Sequence, residues 1–267
     1  MFSINVLLYG DHPKLASRCL DSIRAGFEPH LVTDIRVGVN SIGNETSKIL
    51  HEFAVSVPAV VHIFRDRKLR NVLKYPLMRR MLYCPNLPIE APRVMWFDDD
   101  SFVRHRPGIK WLTEVDLLWK QYRPQIMGSP YYPNYVWNEH ETRAIRRQPW
   151  YAGVPLDTKP TFVTGGWWVA DLEFLARWDY PVRELRHNGG DVLLGEICRQ
   201  QKAVILPNKT VVAINADDNG RESRSIRRGE KTPRPFEHPG DARDYSHHDF
   251  DTVVTTYEAD GTQRICK

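Results

Sequence analysis

Residues 3–9 form an apolar run that stops at Gly10-Asp11-His12-Pro13. A short apolar run without helical spacing predicts a buried strand, and the polar tetrapeptide predicts a turn. Proline suits the first turn of a helix, where its missing N–H has no intrahelical acceptor, so a helix is expected from Pro13 with Asp11 or His12 as its cap. Leu15, Cys19, Leu20 and Ile23 then share one face, and Gly26 supplies the stop. The pattern continues with strands over 35–40, 57–64 and 94–97, a helix over 47–54, and a helix over 69–83 with a kink at Pro76. Alternating strands and helices predict an α/β fold, a mostly parallel sheet with helices on both faces. Ligands of such sheets bind beyond the C-terminal ends of the strands. The strand over 94–97 runs straight into Asp98-Asp99-Asp100, which places an acidic triplet at such an end.

Further along, Trp111, Val115, Leu118 and Trp119 share the face of a helix over 108–119. Residues 122–160, rich in Pro, Tyr and Trp, read as an irregular loop or small hairpin over the site. A strand over 162–170 contains Thr164-Gly165-Gly166-Trp167-Trp168, and a short helix follows to Trp178. Gly189-Gly190-Asp191 opens a helix ending near Gln201, before late strands over 203–206 and 210–214. Residues 217–249 are polar and poor in aliphatics, a loop expected to order only around ligand. No internal repeat is visible, and a single domain is expected.

Composition narrows the setting. A hydrophobic fraction of 42% and a charged fraction of 26% suit a cored globule. A net charge of +4 permits an anionic substrate without requiring one. No apolar run is long enough for a membrane span, and the opening lacks a basic leader and a cleavage site. Cys19, Cys84, Cys198 and Cys266 are scattered without metal-type spacing, so a reducing, cytoplasmic setting is the expectation.

Three motifs carry chemistry. Two carboxylates one residue apart at a strand end can share a hard divalent cation, which a diphosphate needs for charge neutralisation. Acidic residues can also end a strand in plain solvent, although Val94-Met95-Trp96-Phe97 makes exposure less natural here. Paired glycines let a ligand or another backbone approach closely, or mark a bulge in a core strand, and adjacent tryptophans in an extended segment point to opposite faces. Asp191 at a helix start is either an N-cap carboxylate or a base beside a cleft.

In that order, strand–DDD, then TGG with an aromatic, then GD-V-x-x-G, the chain resembles the GT-A glycosyltransferases, particularly the fringe-like branch. Gly10-Asp11-His12-Pro13 and Cys19-Leu20-Asp21-Ser22-Ile23 resemble the starts of family-two glycosyltransferases. The resemblance covers about residues 3–215. It implies a GT-A fold, a nucleotide-sugar donor (a UDP-sugar by family frequency) and Mn²⁺ or Mg²⁺ held by Asp98 and Asp100. Asp99 would lie near the ribose or donor sugar, with Tyr9, Asn40, Arg67, Lys74 and Arg79 also on the donor side. Asp191 would be the general base of an inverting transfer, and Gly165, Gly166, Trp167, Tyr132 and Trp137 would line the acceptor site. A further metal ligand would come from a C-terminal histidine, with His247 and His248 favoured over His238.

Residues 1–105 would then form a donor half and 106–215 an acceptor and catalytic half, while 216–267 would close the site. Arg224, Arg227 and Arg228 belong to a basic stretch that could close on a diphosphate, hold a nucleic-acid backbone, or remain a charged loop. Two positions depart from the family pattern: Val39-Asn40-Ser41 replaces the usual acidic uridine contact, and Gly190 stands where many relatives carry a second acid. The acceptor stays open between a 5-hydroxymethylpyrimidine in DNA, as for the TET/JBP-associated glycosyltransferases, and a saccharide or lipid-linked glycan. A non-catalytic nucleic-acid- or glycan-binding module on this fold is the alternative of a different class.

Overall fold

In the computed structural model, which describes residues 1–66, 74–131, 136–156, 162–183, 185, 189–214 and 252–266, the opening apolar run forms strand β1 (Phe2–Tyr9). Helix α1 (Pro13–Ala25), strand β2 (Val32–Asn40), helix α2 (Asn44–Ser56), strand β3 (Val61–Asp66), helix α3 (Lys74–Leu82) and strand β4 (Arg93–Asp98) complete the first half. The second half comprises β5 (Phe102–Val103), α4 (Trp111–Tyr122), β6 (Ile126–Tyr131), α5 (Glu139–Arg146), β7 (Phe162–Asp171), α6 (Leu172–Arg177) and α7 (Gly190–Gln200). Short strands β8 (Ile205–Pro207) and β9 (Val212–Ala213) follow, then the hairpin β10 (Thr252–Tyr257) and β11 (Gln263–Cys266).

The main sheet has the order β11-β10-β3-β2-β1-β4-β7-β6-β8. Strands β3, β2, β1 and β4 are mutually parallel, while β7 and β10 run against their neighbours. Side-chain alternation sorts the core into two layers. Val6, Leu8, Met95, Phe97 and Trp167 pack on the side of α1 and α2, whereas Leu7, Val94, Trp96 and Trp168 pack on the side of α3 and α7. Across the β4–β7 pair, Trp96 and Trp168 stack with ring centroids 5.9 Å apart. Both faces are covered, which is why β1 reads as a largely apolar run.

The structure differs from expectation in four places. His12 occupies the cap position of α1 but its side chain does not cap the helix, while Asp11 accepts from the Thr46 hydroxyl (3.4 Å) in the first turn of α2. A carboxylate is favoured at either helix start, so the choice is settled by which helix the loop meets. Residues 122–160 are not wholly irregular: β6 and α5 lie within them. Gly128 and Pro130 made β6 look like a turn, but the β6–β7 register shifts between those two residues and β8 pairs only as far as Gly128. Asn138 and Glu141 form a reciprocal capping box at the start of α5. Pro76 lies in the first turn of Lys74–Leu82, where its missing N–H breaks no bond within those residues. Finally, residues 252–266 add a hairpin to the sheet edge beside β3 instead of lying over the acidic triplet. Among the described residues no helix is long and apolar enough to cross a membrane.

Arg36 on β2 is 1% exposed and ties α3 to the sheet. Its guanidinium donates to Asp34 (2.6 Å) and to the carbonyls of Met81 (2.7 Å), Leu87 (2.9 Å) and Pro88 (2.9 Å). The chain leading from α3 to β4 is thereby held in place. Replacing Arg36 with Met should cost on the order of 3–5 kcal/mol, because Asp34 and three carbonyls lose their partner. Urea unfolding at unchanged slope checks this, and a loss below about 1 kcal/mol would refute the strap.

Candidate active site

Parallel pairing brings the C-terminal ends of β1, β2 and β4 to one rim. Tyr9 pairs with Asn40, and Leu7 pairs with Asp98. Beyond β4 the chain turns sharply, with the Ser101 N–H donating to the Asp98 carbonyl (3.0 Å). Asp99 and Asp100 are buried in that turn at 1% and 2% exposure. The Ser101 hydroxyl donates to the Gly166 carbonyl (2.8 Å), fastening the turn to β7. Beneath it the Cys19 thiol approaches the Asp98 carbonyl (3.7 Å); burial, and then the three aspartates, push its pKa well above the ordinary thiol range. Cys19, Cys84 and Cys198 are free thiols.

Asp98 is held from two sides. Its Oδ1 accepts from the Trp96 indole N–H (2.9 Å), and its Oδ2 from the Lys74 ammonium (2.6 Å). Lys74, on the first turn of α3, also donates to the Gly165 carbonyl (2.9 Å). Gly165 in turn directs its N–H to Asp191 Oδ2 (3.4 Å). A Cβ on Gly165 would stand 3.1 Å from Lys74 Nζ, so glycine lets β7 pass this close to the ammonium. Asp98, Lys74, Gly165 and Asp191 thus form one polar chain across β4, α3, β7 and α7.

Asp191 is the second residue of α7, which starts from Gly189 in the left-handed region (φ 81°). Its Oδ1 accepts from the Val192 N–H (3.0 Å). Burial raises the pKa of its carboxyl above the usual value, opposed by Lys74 and by the Val192 and Gly165 N–H groups. A half-buried carboxylate with increased proton affinity beside an acidic rim is chemically suited to accept a proton.

Hard oxygen donors of the triplet match Mn²⁺ or Mg²⁺ in type, since Mg²⁺ commonly takes one or two carboxylates together with substrate phosphates. Each Asp98 oxygen already accepts a hydrogen bond, from Trp96 and from Lys74, so a cation there would share those oxygens with the indole and the ammonium. Among the described residues no group of three or more metal-ligating side chains occurs.

Other expected site residues divide clearly. Asn40 is buried at the rim and accepts from the Ser41 hydroxyl (3.2 Å), and Tyr9 meets His12 edge-on. Trp167 is 0% exposed, so its ring fills the core and does not line an open acceptor surface. Trp137 is half-buried against the layer on the α3 side. Arg79 is committed elsewhere, to the Asp179 carboxylate (2.9 Å) and the carbonyls of Asp179 (3.1 Å) and Pro181 (2.5 Å). A helical turn separates it from Lys74, which explains why one basic stretch serves two purposes. Arg67, Tyr132, Arg224, Arg227, Arg228, His238, His247 and His248 lie outside the described residues.

Sequence reasoning missed Ser101, Tyr75 and Tyr180. A serine after an acidic triplet and two scattered tyrosines carry no spacing signal. A separate cavity of about 520 Å³ lies between α2 and the C-terminal hairpin, lined among others by Lys48, His51, Arg65 and Tyr257. It contains no acid and shares no residue with the triplet, so the chemistry is assigned to the rim.

No protein-family model matches the sequence, and no curated protein matches it. Among solved structures, the chain is similar to S. aureus TarS, at 13% identity over 84% of this chain and 38% of that one, with a TM-score of 0.50. It is similar to S. aureus TarS 1-349 in complex with UDP, at 14% identity over 79% and 59%, TM-score 0.52. It also resembles the mannosyltransferase PcManGT from Pyrobaculum calidifontis in complex with GDP-Man and Mn²⁺, at 13% identity over 85% and 60%, TM-score 0.53. The chain spans less than two thirds of the length of each of these three. Identities this low speak for architecture, and the architecture agrees with the strand order: the chain is a single α/β domain of the GT-A type.

Proposed function

We propose that the protein is a divalent-metal-dependent glycosyltransferase that moves a sugar from a nucleotide diphosphate sugar to an acceptor hydroxyl with inversion. One observation carries this reading: on a GT-A-type sheet, the acidic triplet and the half-buried Asp191 meet at the C-terminal rim, linked through Lys74 and Gly165. The solved neighbours with UDP, and with GDP-Man and Mn²⁺, support the donor class and the metal. UDP is the proposed nucleotide.

In this reading Asp100 and Asp98 supply the metal's protein oxygens, and the metal neutralises the charge of the departing diphosphate. Asp99, Tyr9 and Asn40 face the donor from the rim. Asp191 Oδ2 takes the acceptor's hydroxyl proton as that oxygen bonds to the anomeric carbon. The bond from that carbon to the diphosphate breaks, and its electron pair leaves with the nucleotide. Lys74 keeps Asp98 and the Gly165 carbonyl in register and lowers the proton affinity that burial gives Asp191.

The acceptor is proposed as a hydroxyl group, on a 5-hydroxymethylpyrimidine in DNA or on a saccharide. Tyr132, Arg224, Arg227 and Arg228, which motivated the DNA acceptor, lie outside the described residues.

Nucleotide release from UDP-sugars with and without Mn²⁺ tests the metal assignment without an acceptor. Asp100→Asn should lower the Mn²⁺-stimulated rate by about 100-fold, the scale of losing one strong electrostatic contact to a departing charge. Full retention would refute the assignment.

Asp191→Asn should leave UDP–Mn²⁺ binding within about twofold by calorimetry while cutting turnover by roughly 10²–10⁴, the usual worth of a general base. Its raised pKa fixes the sign of the stability effect. The folded state's advantage from Asp191 is full below the unfolded carboxyl value of about 3.9 and is lost as pH rises through the raised folded value. At neutral pH the Asn variant should therefore be no less stable than the parent. Loss of donor binding together with stability would make Asp191 structural.

A further inference from the structure

Helix α7 begins at Gly190 without a side-chain cap, because Gly189 at the cap position has no side chain to offer. Two phenols bear on it instead. The Tyr180 hydroxyl donates to the Gly190 carbonyl (3.1 Å), and Tyr75 closes on Gly190 from α3. The residue before Asp191 is thereby held between two phenols. The fit leaves no slack: a Cβ on Gly190 would lie 2.1 Å from Tyr75 Cζ.

Both tyrosines are themselves fixed. Tyr75 follows Lys74 on α3 and is 2% exposed, while Tyr180 is 1% exposed against Trp168. The Tyr180 carbonyl accepts from the Tyr83 hydroxyl (2.6 Å), and Arg79 holds the flanking Asp179 and Pro181. Burial and the neighbouring Asp191 keep both phenols well above their ordinary pKa, so both remain protonated. Helix α3 therefore supplies Lys74 to one side of Asp191 and Tyr75 to the other.

We infer that Tyr75 and Tyr180 are positioning residues whose contacts with Gly190 set the orientation of Asp191 for proton transfer. The inference rests on the reading of Asp191 as the base.

Tyr75→Phe, Tyr180→Phe and the double variant each remove only hydroxyls, and nucleotide release from a UDP-sugar with Mn²⁺ is the assay. Each single variant should remain folded, bind UDP–Mn²⁺ within about twofold of the parent, and lose at least about tenfold in kcat, a fraction of what a general base contributes. The rising limb of the kcat–pH profile should move to lower pH as Asp191 becomes better solvated. The double variant should lose less than the product of the two single losses, because both phenols act on one residue, Gly190. If one variant fails to fold, the other carries the same readouts. Asp191→Asn separates the two ideas. Undiminished nucleotide release in that variant overturns the base itself. An inactive Asp191→Asn beside tyrosine variants with parental kcat and pH limb, or with losses that multiply in the double variant, overturns the positioning role alone.

Discussion

The Lys74 ammonium group, wedged between the Asp98 carboxylate and the Gly165 carbonyl, is the contact on which the rim depends. Removing water from Lys74 and Asp98 costs much of what their attraction returns, so the pair adds little to stability by itself. Its effect is on placement. Lys74 belongs to α3, Asp98 ends β4 and Gly165 lies on β7, so one side chain registers three elements that the sequence keeps far apart. Without the ammonium, Asp98 would be left with the Trp96 indole as its other named donor and an uncompensated charge. Four acidic side chains, at 98, 99, 100 and 191, gather where Lys74 is directly bonded to one of them. Such a rim has an electrostatic reason to take up further positive charge, and a hard divalent cation with a diphosphate is one balanced solution.

The aromatic core makes this arrangement rigid enough to matter. Trp96 and Trp168 stack directly below the rim, and the Trp96 indole N–H then reaches Asp98. The same stack leads through Trp168 to Tyr180 and from there to Gly190. Packing therefore reaches both carboxylates by separate routes, through an indole on one side and through phenols on the other. Function on such a rim is sensitive to side chains that touch no substrate.

Much of this was readable from residue order. Apolar runs at 3–9 and 94–97, and the strand expected over 35–40, located strands of the parallel sheet, and Pro13 and Gly26 bracketed α1. The motifs at 98–100, 164–168 and 189–191 named the elements that meet at the rim. What pattern could not supply was partnership. Lys74 and Arg79 sit in one basic stretch, yet one faces the triplet and the other holds Asp179, a distinction set by helical phase against a fold not yet known. Adjacent tryptophans were expected on opposite faces, and they are, but helices cover both faces, so neither ring is left to line a surface. The hairpin at 252–266 was not anticipated: its strands are short, and nothing local says that they pair with β3.

The two departures from the family pattern have physical explanations in the same neighbourhood. Asn40 is 3% exposed at a rim already crowded with carboxyl groups, where a further buried carboxylate would need a cation of its own. An amide keeps the hydrogen-bonding role, shown by its contact with Ser41, without that cost. At position 190 the reason is steric. Any side chain would meet the ring of Tyr75, so the volume that a second acid would need holds a phenol instead. The exchange removes a negative charge next to Asp191 and substitutes neutral hydroxyls that grip the backbone. A like charge adjacent to Asp191 would have raised its proton affinity beyond what burial already does. With glycine there, Lys74 and the backbone N–H groups at 165 and 192 offset the burial effect.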